Sequence, residues 1–103
     1  MSLYRPTDET HVTMTSWGVH EVNFSDGTTR HLVGSVNGEG RVSSAIQSYD
    51  PQEKQLTTKS GKVYAIQGKP GTTANAVYVW QSWCKINKIK PEDFVDVTAE
   101  YNI

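Results

Sequence analysis

From Thr10 to Gly71 the chain repeats one pattern, a short run rich in Val, Ile, Thr and Tyr followed by a turn signal. The turn signals are Asp26-Gly27, Asn37-Gly38-Glu39-Gly40, Asp50-Pro51, Ser60-Gly61 and Lys69-Pro70-Gly71. Spacing this short and regular predicts successive β-hairpins. Thr10 to Trp17 reads as a strand. Val19 to Phe24 and Thr29 to Val36 read as a hairpin across Ser25-Asp26-Gly27-Thr28, and Arg41 to Tyr49 as a further strand. Gln55 to Lys59 and Lys62 to Gln67 read as a tight hairpin in which Gly61 supplies the positive φ of a two-residue loop.

The period then changes. Ala76, Val79, Trp80, Trp83 and Ile86 recur at helical spacing, with Tyr78, Gln81, Lys85 and Lys88 on the other side. A single helix is predicted from Thr73 to about Lys88. Thr72 or Thr73 is its expected N-cap and Pro91 its stop. In the tail, Val95, Val97, Ala99, Tyr101 and Ile103 alternate with polar residues, which predicts a half-buried strand beside the Lys59/Lys62 hairpin. A helix cannot bury an apolar stripe alone, so it must lie on a sheet. The expected fold is α+β: a mostly antiparallel sheet or small SH3- or OB-like barrel of about six or seven short strands, with one helix near residues 73–88 packed on it.

At 103 residues the chain is expected to form a single domain, residues 1–103. Met1-Ser2-Leu3 reads as a cloning leader, and residues 4–9 as a flexible lead-in. The hydrophobic fraction, 36%, is low. Three Trp, five Tyr and two Phe compensate, because each ring buries more area than an aliphatic side chain. A lone cysteine, Cys84, rules out an intramolecular disulfide and favours a reducing compartment. No apolar run approaches the ~20 residues of a membrane-spanning helix. A cytoplasmic protein with no membrane partner is the expectation.

Charge is segregated. Lys54, Lys59, Lys62, Lys69, Lys85, Lys88 and Lys90 fall in a block with no acidic residue. Before it, three arginines face seven carboxylates, and after it come Glu92, Asp93, Asp96 and Glu100 with no base. The net charge of −1 therefore conceals a polar molecule. Such segregation bears on partners rather than on fold.

Lys59 and Lys62 flank a tight turn, where two like charges favour an anion between them. Lys54, Lys69 and Arg41 extend this candidate surface, and Tyr64 offers a ring for stacking. Interleaved cations and aromatics can hold single-stranded nucleic acid. A pI near 6.3 is low for a dedicated nucleic-acid binder, so an acidic protein is favoured as the partner. Trp80 and Trp83 belong on the helix's buried stripe, and Trp17, before Gly18, is the better candidate for an exposed ring.

His11, His20, His31 and Cys84 show no zinc-ligand spacing, so no metal is expected, and no cofactor motif is present. Gly68-Lys69-Pro70-Gly71 precedes a helix as a phosphate cradle does, but Pro70 removes an amide donor and the spacing differs. No catalytic residue is assigned.

The string Lys59-Ser60-Gly61-Lys62-Val63-Tyr64 through Gly68-Lys69-Pro70-Gly71, with Trp80 downstream, is similar to small bacterial and prophage proteins of unknown function. The similarity covers the second half of the chain and implies no activity. The reading is a small non-catalytic bacterial or prophage binding module that engages an acidic protein through Arg41, Lys59, Lys62, Tyr64 and Lys69. The alternatives are a single-stranded nucleic-acid binder and a small hydrolase-type enzyme using His20, His31 or Cys84. Self-association through the C-terminal strand is a further expectation.

Overall fold

One long strand organises the fold. β1 spans His11–Phe24, in a computed structural model that describes residues 10–102. The expected leader at Met1–Leu3, the expected flexible segment 4–9, and Ile103 lie outside the described residues. Where the sequence predicts a break near Gly18, the strand instead carries a bulge. Its pairing shifts register between Thr15 and Gly18, and Ser16 takes a φ of 47°. An extra residue in one strand reverses the face to which later side chains point. Val12 and Met14 face the core before the bulge, and Trp17 and Val19 face the same core after it. Trp17, expected to be exposed, is therefore only 2% exposed.

β2 (Gly27–Val36) folds back on β1, and β3 (Glu39–Val42) pairs antiparallel with β2. β4 (Ile46–Asp50), β5 (Gln55–Thr58) and β6 (Val63–Gln67) form a second antiparallel run. The start of β1 lies parallel to β6, so the sheet is mixed, with the order β3-β2-β1-β6-β5-β4. The strand expected over Arg41–Tyr49 is two strands, because residues 43–45 cross from one edge of the sheet to the other. Ser43 N–H donates to the Leu32 carbonyl on β2, and the Ala45 carbonyl accepts from Lys59 N–H after β5. This crossing ties the two edges together. Inside the resulting curl sit Val12, Met14, Trp17, Val19, Leu32, Val36, Leu56, Tyr64, Ile66 and Tyr101. Each fully buried aliphatic side chain there contributes about 1.5–3 kcal/mol of burial.

The helix α1 (Ala74–Ile86) lies outside the curl, over β2 and β3. The Thr73 hydroxyl caps it by accepting from Ala76 N–H at 3.1 Å. Ala76, Trp80 and Cys84, spaced by four, are its buried row. They pack on Val22 and Val33, with Phe24, Val42, Trp83, Ile89 and Phe94 around them. β2 is consequently covered on both faces. Ile86, expected on the buried stripe, is 79% exposed. It stands about 200° round the helix from Cys84, at the end of the last turn.

The tail differs from the predicted strand. β7 is only Phe94–Asp96, and it pairs with His20–Val22 of β1 rather than beside the hairpin of Lys59 and Lys62. The Asp96 carboxylate accepts from Thr98 N–H at 2.8 Å and turns the chain into a 3-10 segment, Thr98–Glu100. Tyr101 then enters the core, its carbonyl accepting from the Tyr49 hydroxyl. Val95, expected on the buried face, is exposed.

Candidate functional site

The β5–β6 loop is one residue longer than the expected two-residue loop. Thr58 N–H donates to the Lys62 carbonyl at 3.0 Å and Gly61 N–H to the Thr58 carbonyl at 2.9 Å, with Gly61 at φ 92°, so Lys59 lies within the turn and Lys62 follows it. The Ser44 hydroxyl accepts from Ser60 N–H at 3.1 Å, so the segment that follows Arg41 docks on this tip. On β3, Gly40 and Val42 face α1, and Arg41 between them points to the other face of the sheet. Arg41, Lys59 and Lys62 thus belong to neighbouring segments. Lys69 does not join them, because it follows the far end of β6, roughly 16 Å of strand from Lys62. Its loop is fixed by Trp17, whose Nε1–H donates to the Gly68 carbonyl and whose carbonyl accepts from Gly71 N–H, each at 3.0 Å. Tyr64 is 4% exposed within the core, so its ring offers no face to a partner.

The acidic tail does not cover these cations. Glu100 and Glu21 both pair with Arg30 at 2.9 Å, and the Tyr101 hydroxyl accepts from Arg30 at 3.1 Å. Among the described residues no carboxylate pairs with Arg41, Lys59, Lys62 or Lys69.

A second constellation lies under α1. The Trp80 ring is stacked on one side by His20, with centroids 4.5 Å apart and planes at 16°, and by Trp83 at 5.1 Å and 12°. Phe94 meets both His20 and Trp80 edge-on. His31 lies 4.8 Å from Trp83. Its Nδ1–H donates to the Ser43 carbonyl at 2.9 Å, which leaves Nε2 to accept from the Thr29 hydroxyl at 2.7 Å. The neutral ring satisfies both bonds. His20 Nδ1 and Trp80 Nε1 are buried without a partner among the described residues. The sequence puts both histidines on adjoining hairpin strands, as exposed or hydrogen-bonded residues, but does not bring them under the helix. The signal was their alternation: His20, Val22 and Phe24 share one face of β1, and His31 and Val33 share the adjoining face of β2.

Burial lowers the pKa of both imidazoles, opposed at His20 by the nearby Asp96 carboxylate and at His31 by the Ser43 carbonyl. For Asp96, burial pushes upward, but the Thr98 hydrogen bonds and His20 outweigh it and hold the carboxyl below its ordinary value. A histidine with a lowered folded pKa binds its proton more readily when unfolded. Stability should therefore hold above pH ~6.5 and fall as pH drops through that value, levelling below the folded pKa. Urea midpoints at pH 7.5 and 5.5 measure it. His20→Phe keeps a stacking ring without titration and should flatten part of the slope. Coincident wild-type midpoints would show that burial does not hold these rings neutral.

Cys84 is buried on the inner row of α1, and burial pushes its thiol up. An activated nucleophile needs the opposite shift. No group of three or more potential metal ligands exists among the described residues. No helix among them is long and apolar enough to cross a membrane.

Comparison with known proteins gives no match, whether to a family model, a curated protein or a solved structure, and so lends nothing to a bacterial or prophage origin.

Proposed function

We propose that this chain is a small non-catalytic binding module that engages an acidic protein through Arg41, Lys59 and Lys62. The observation that carries this reading is the β5–β6 tip: Lys59 lies within the turn and Lys62 directly after it, and no carboxylate pairs with either among the described residues. An ammonium group left without an ion-pair partner at a surface turn steers an anionic partner and sets its on-rate. Lys69 lies apart and is a separate, weaker contributor. The burial of Tyr64 removes the stacking platform that a nucleic-acid reading needs, which favours carboxylates over phosphates as the anion.

The test is the double reversal Lys59→Glu with Lys62→Glu. Both side chains lie at the tip, so the variant should keep the wild-type circular dichroism spectrum. It should lose partners captured by the wild-type protein at physiological salt. A folded variant that captures the same partners would remove the tip as the site. Labelled single-stranded RNA and DNA, titrated at low and physiological salt, separate the alternative. Tight binding that weakens steeply with salt would put phosphate contacts in place of an acidic protein.

A further inference from the structure

The exposed side of α1 carries large apolar side chains that the sheet does not use. Tyr78 is 70% and Val77 41% exposed, alongside Ile86. They lie on two adjacent rows of the helix, Val77-Gln81-Lys85 and Tyr78-Ser82-Ile86. Two grooves meet at this ridge and share Gln81 and Lys85. The outer groove, about 360 Å³, runs past Tyr78, Ser82 and Ile86. The inner one, about 470 Å³, is floored by Trp80, Cys84, Ile89, Pro91 and Phe94. A ridge between two grooves is the surface that a second helix packs against.

We propose that this face docks an acidic amphipathic helix of a partner protein, a surface distinct from the β5–β6 tip. Its apolar side chains would fill the inner groove, and its carboxylates would meet Lys85 and Lys88. The charge lining the grooves selects this occupant: Lys85 borders both, whereas Glu92 and Asp93, between Pro91 and Phe94, line neither. α1 contains no acidic residue, and among the described residues no carboxylate pairs with Lys85 or Lys88. The apolar floor argues against nucleic acid. Both faces of Trp80 are already covered by His20 and Trp83, leaving Tyr78 as the one highly exposed ring on the helix for a base to stack on. Aliphatic anchors with a cationic rim match the helix-in-groove mode, read by side chains at i, i+3, i+4 and i+7.

The probe is a labelled synthetic helical peptide with Leu at i, i+3, i+4 and i+7 and Glu on its flanks, titrated against the full chain by fluorescence anisotropy. Two control peptides replace Leu by Ser, or Glu by Lys. The Leu/Glu peptide should bind, and both controls should bind at least about tenfold more weakly. Ile86→Glu and Lys85→Glu, both at exposed positions, should each weaken the Leu/Glu peptide by about tenfold or more while leaving the fold intact. Lys59→Glu with Lys62→Glu should leave this binding unchanged, so failure here and failure of the tip are read separately. Equal binding of all three peptides, or a wild-type affinity retained by Ile86→Glu, would overturn the proposal. So would self-association in sedimentation equilibrium that Ile86→Glu abolishes, because the face would then serve a second copy of the chain. Single-stranded DNA that competes the peptide off at physiological salt would overturn it as well.

Discussion

Trp80→Ala is expected to cost about 3–5 kcal/mol, the range for emptying a buried indole site. The whole domain has only about 5–15 kcal/mol to lose. The melting temperature should drop by roughly 12 °C or more. The size of the effect follows from position. Trp80 is 7% exposed and is the middle ring of the His20–Trp80–Trp83 stack, with Phe94 on its edge. Its loss would leave three aromatic neighbours facing a void that helix and strand cannot both close. Trp80→Phe separates packing from polarity. The indole N–H is buried without a partner among the described residues, so deleting it forfeits no hydrogen bond and removes a desolvation penalty. The phenyl ring should keep part of the stack and leave a smaller cavity, so the loss should be clearly less than that of alanine. Urea unfolding followed by circular dichroism reads both variants. Similar large losses for Phe and Ala would mean that the N–H has a partner. A small loss for Ala would mean that the stack does not anchor α1.

The helix was legible because it depends on local signals. Thr73, the Ala76/Trp80/Trp83 spacing and Pro91 are all read within one segment, and the observed Ala74–Ile86 falls inside the expected limits. The place of the β5–β6 turn and the positive φ of Gly61 were legible for the same reason, but its length was not, since Thr58 rather than Lys59 pairs with Lys62. What failed depends on contacts distant in sequence. The bulge at Ser16 reverses the phase of β1, and the sequence before Gly18 carries no mark of it; the fate of Trp17 followed from that reversal. The parallel pairing of β1 with β6 joins segments some fifty residues apart, which alternation cannot register. The tail alternates as a strand should, but Asp96 captures Thr98 N–H and ends it. For the candidate site, the lysines could be named and not placed. Whether Lys62 and Lys69 share a surface depends on β6 separating them, and whether the tail neutralises them depends on Arg30 having taken Glu100. The histidines were visible residue by residue. Their role needed Trp80 and Trp83 of α1 to reach over them.

Gly40→Ala is the second large effect expected, and it tests that placement of α1 directly. A methyl group built on Gly40 would stand 2.3 Å from the Asn75 carbonyl oxygen and 2.6 Å from its carbon. The obstacle is backbone in the first turn of α1, which has no rotamer to yield. That turn is further held by the Thr73 cap and by Asn75 Nδ2–H donating to the Gly38 carbonyl at 3.1 Å. The φ of Gly40 lies outside the left-handed region, so alanine meets no conformational penalty of its own. In an unstrained site the exchange would stabilise the protein by about 0.4–1 kcal/mol through the unfolded chain. A net loss therefore reports contact alone. We expect a loss of about 1–3 kcal/mol or more, the range for forced overpacking, as α1 is pushed off β3. Gly38 is the control. It borders the same turn with open space around it but a φ of 83°, so Gly38→Ala should show only the cost of a left-handed alanine, about 1–2 kcal/mol. The two are distinguished by hydrogen exchange. Gly40→Ala should raise exchange in the first turn of α1 specifically, where the helix is lifted, and Gly38→Ala should not. Alanine at position 40 that leaves both stability and exchange unchanged would mean that α1 does not sit against β3, and the groove and aromatic stack beneath it would fall with that placement.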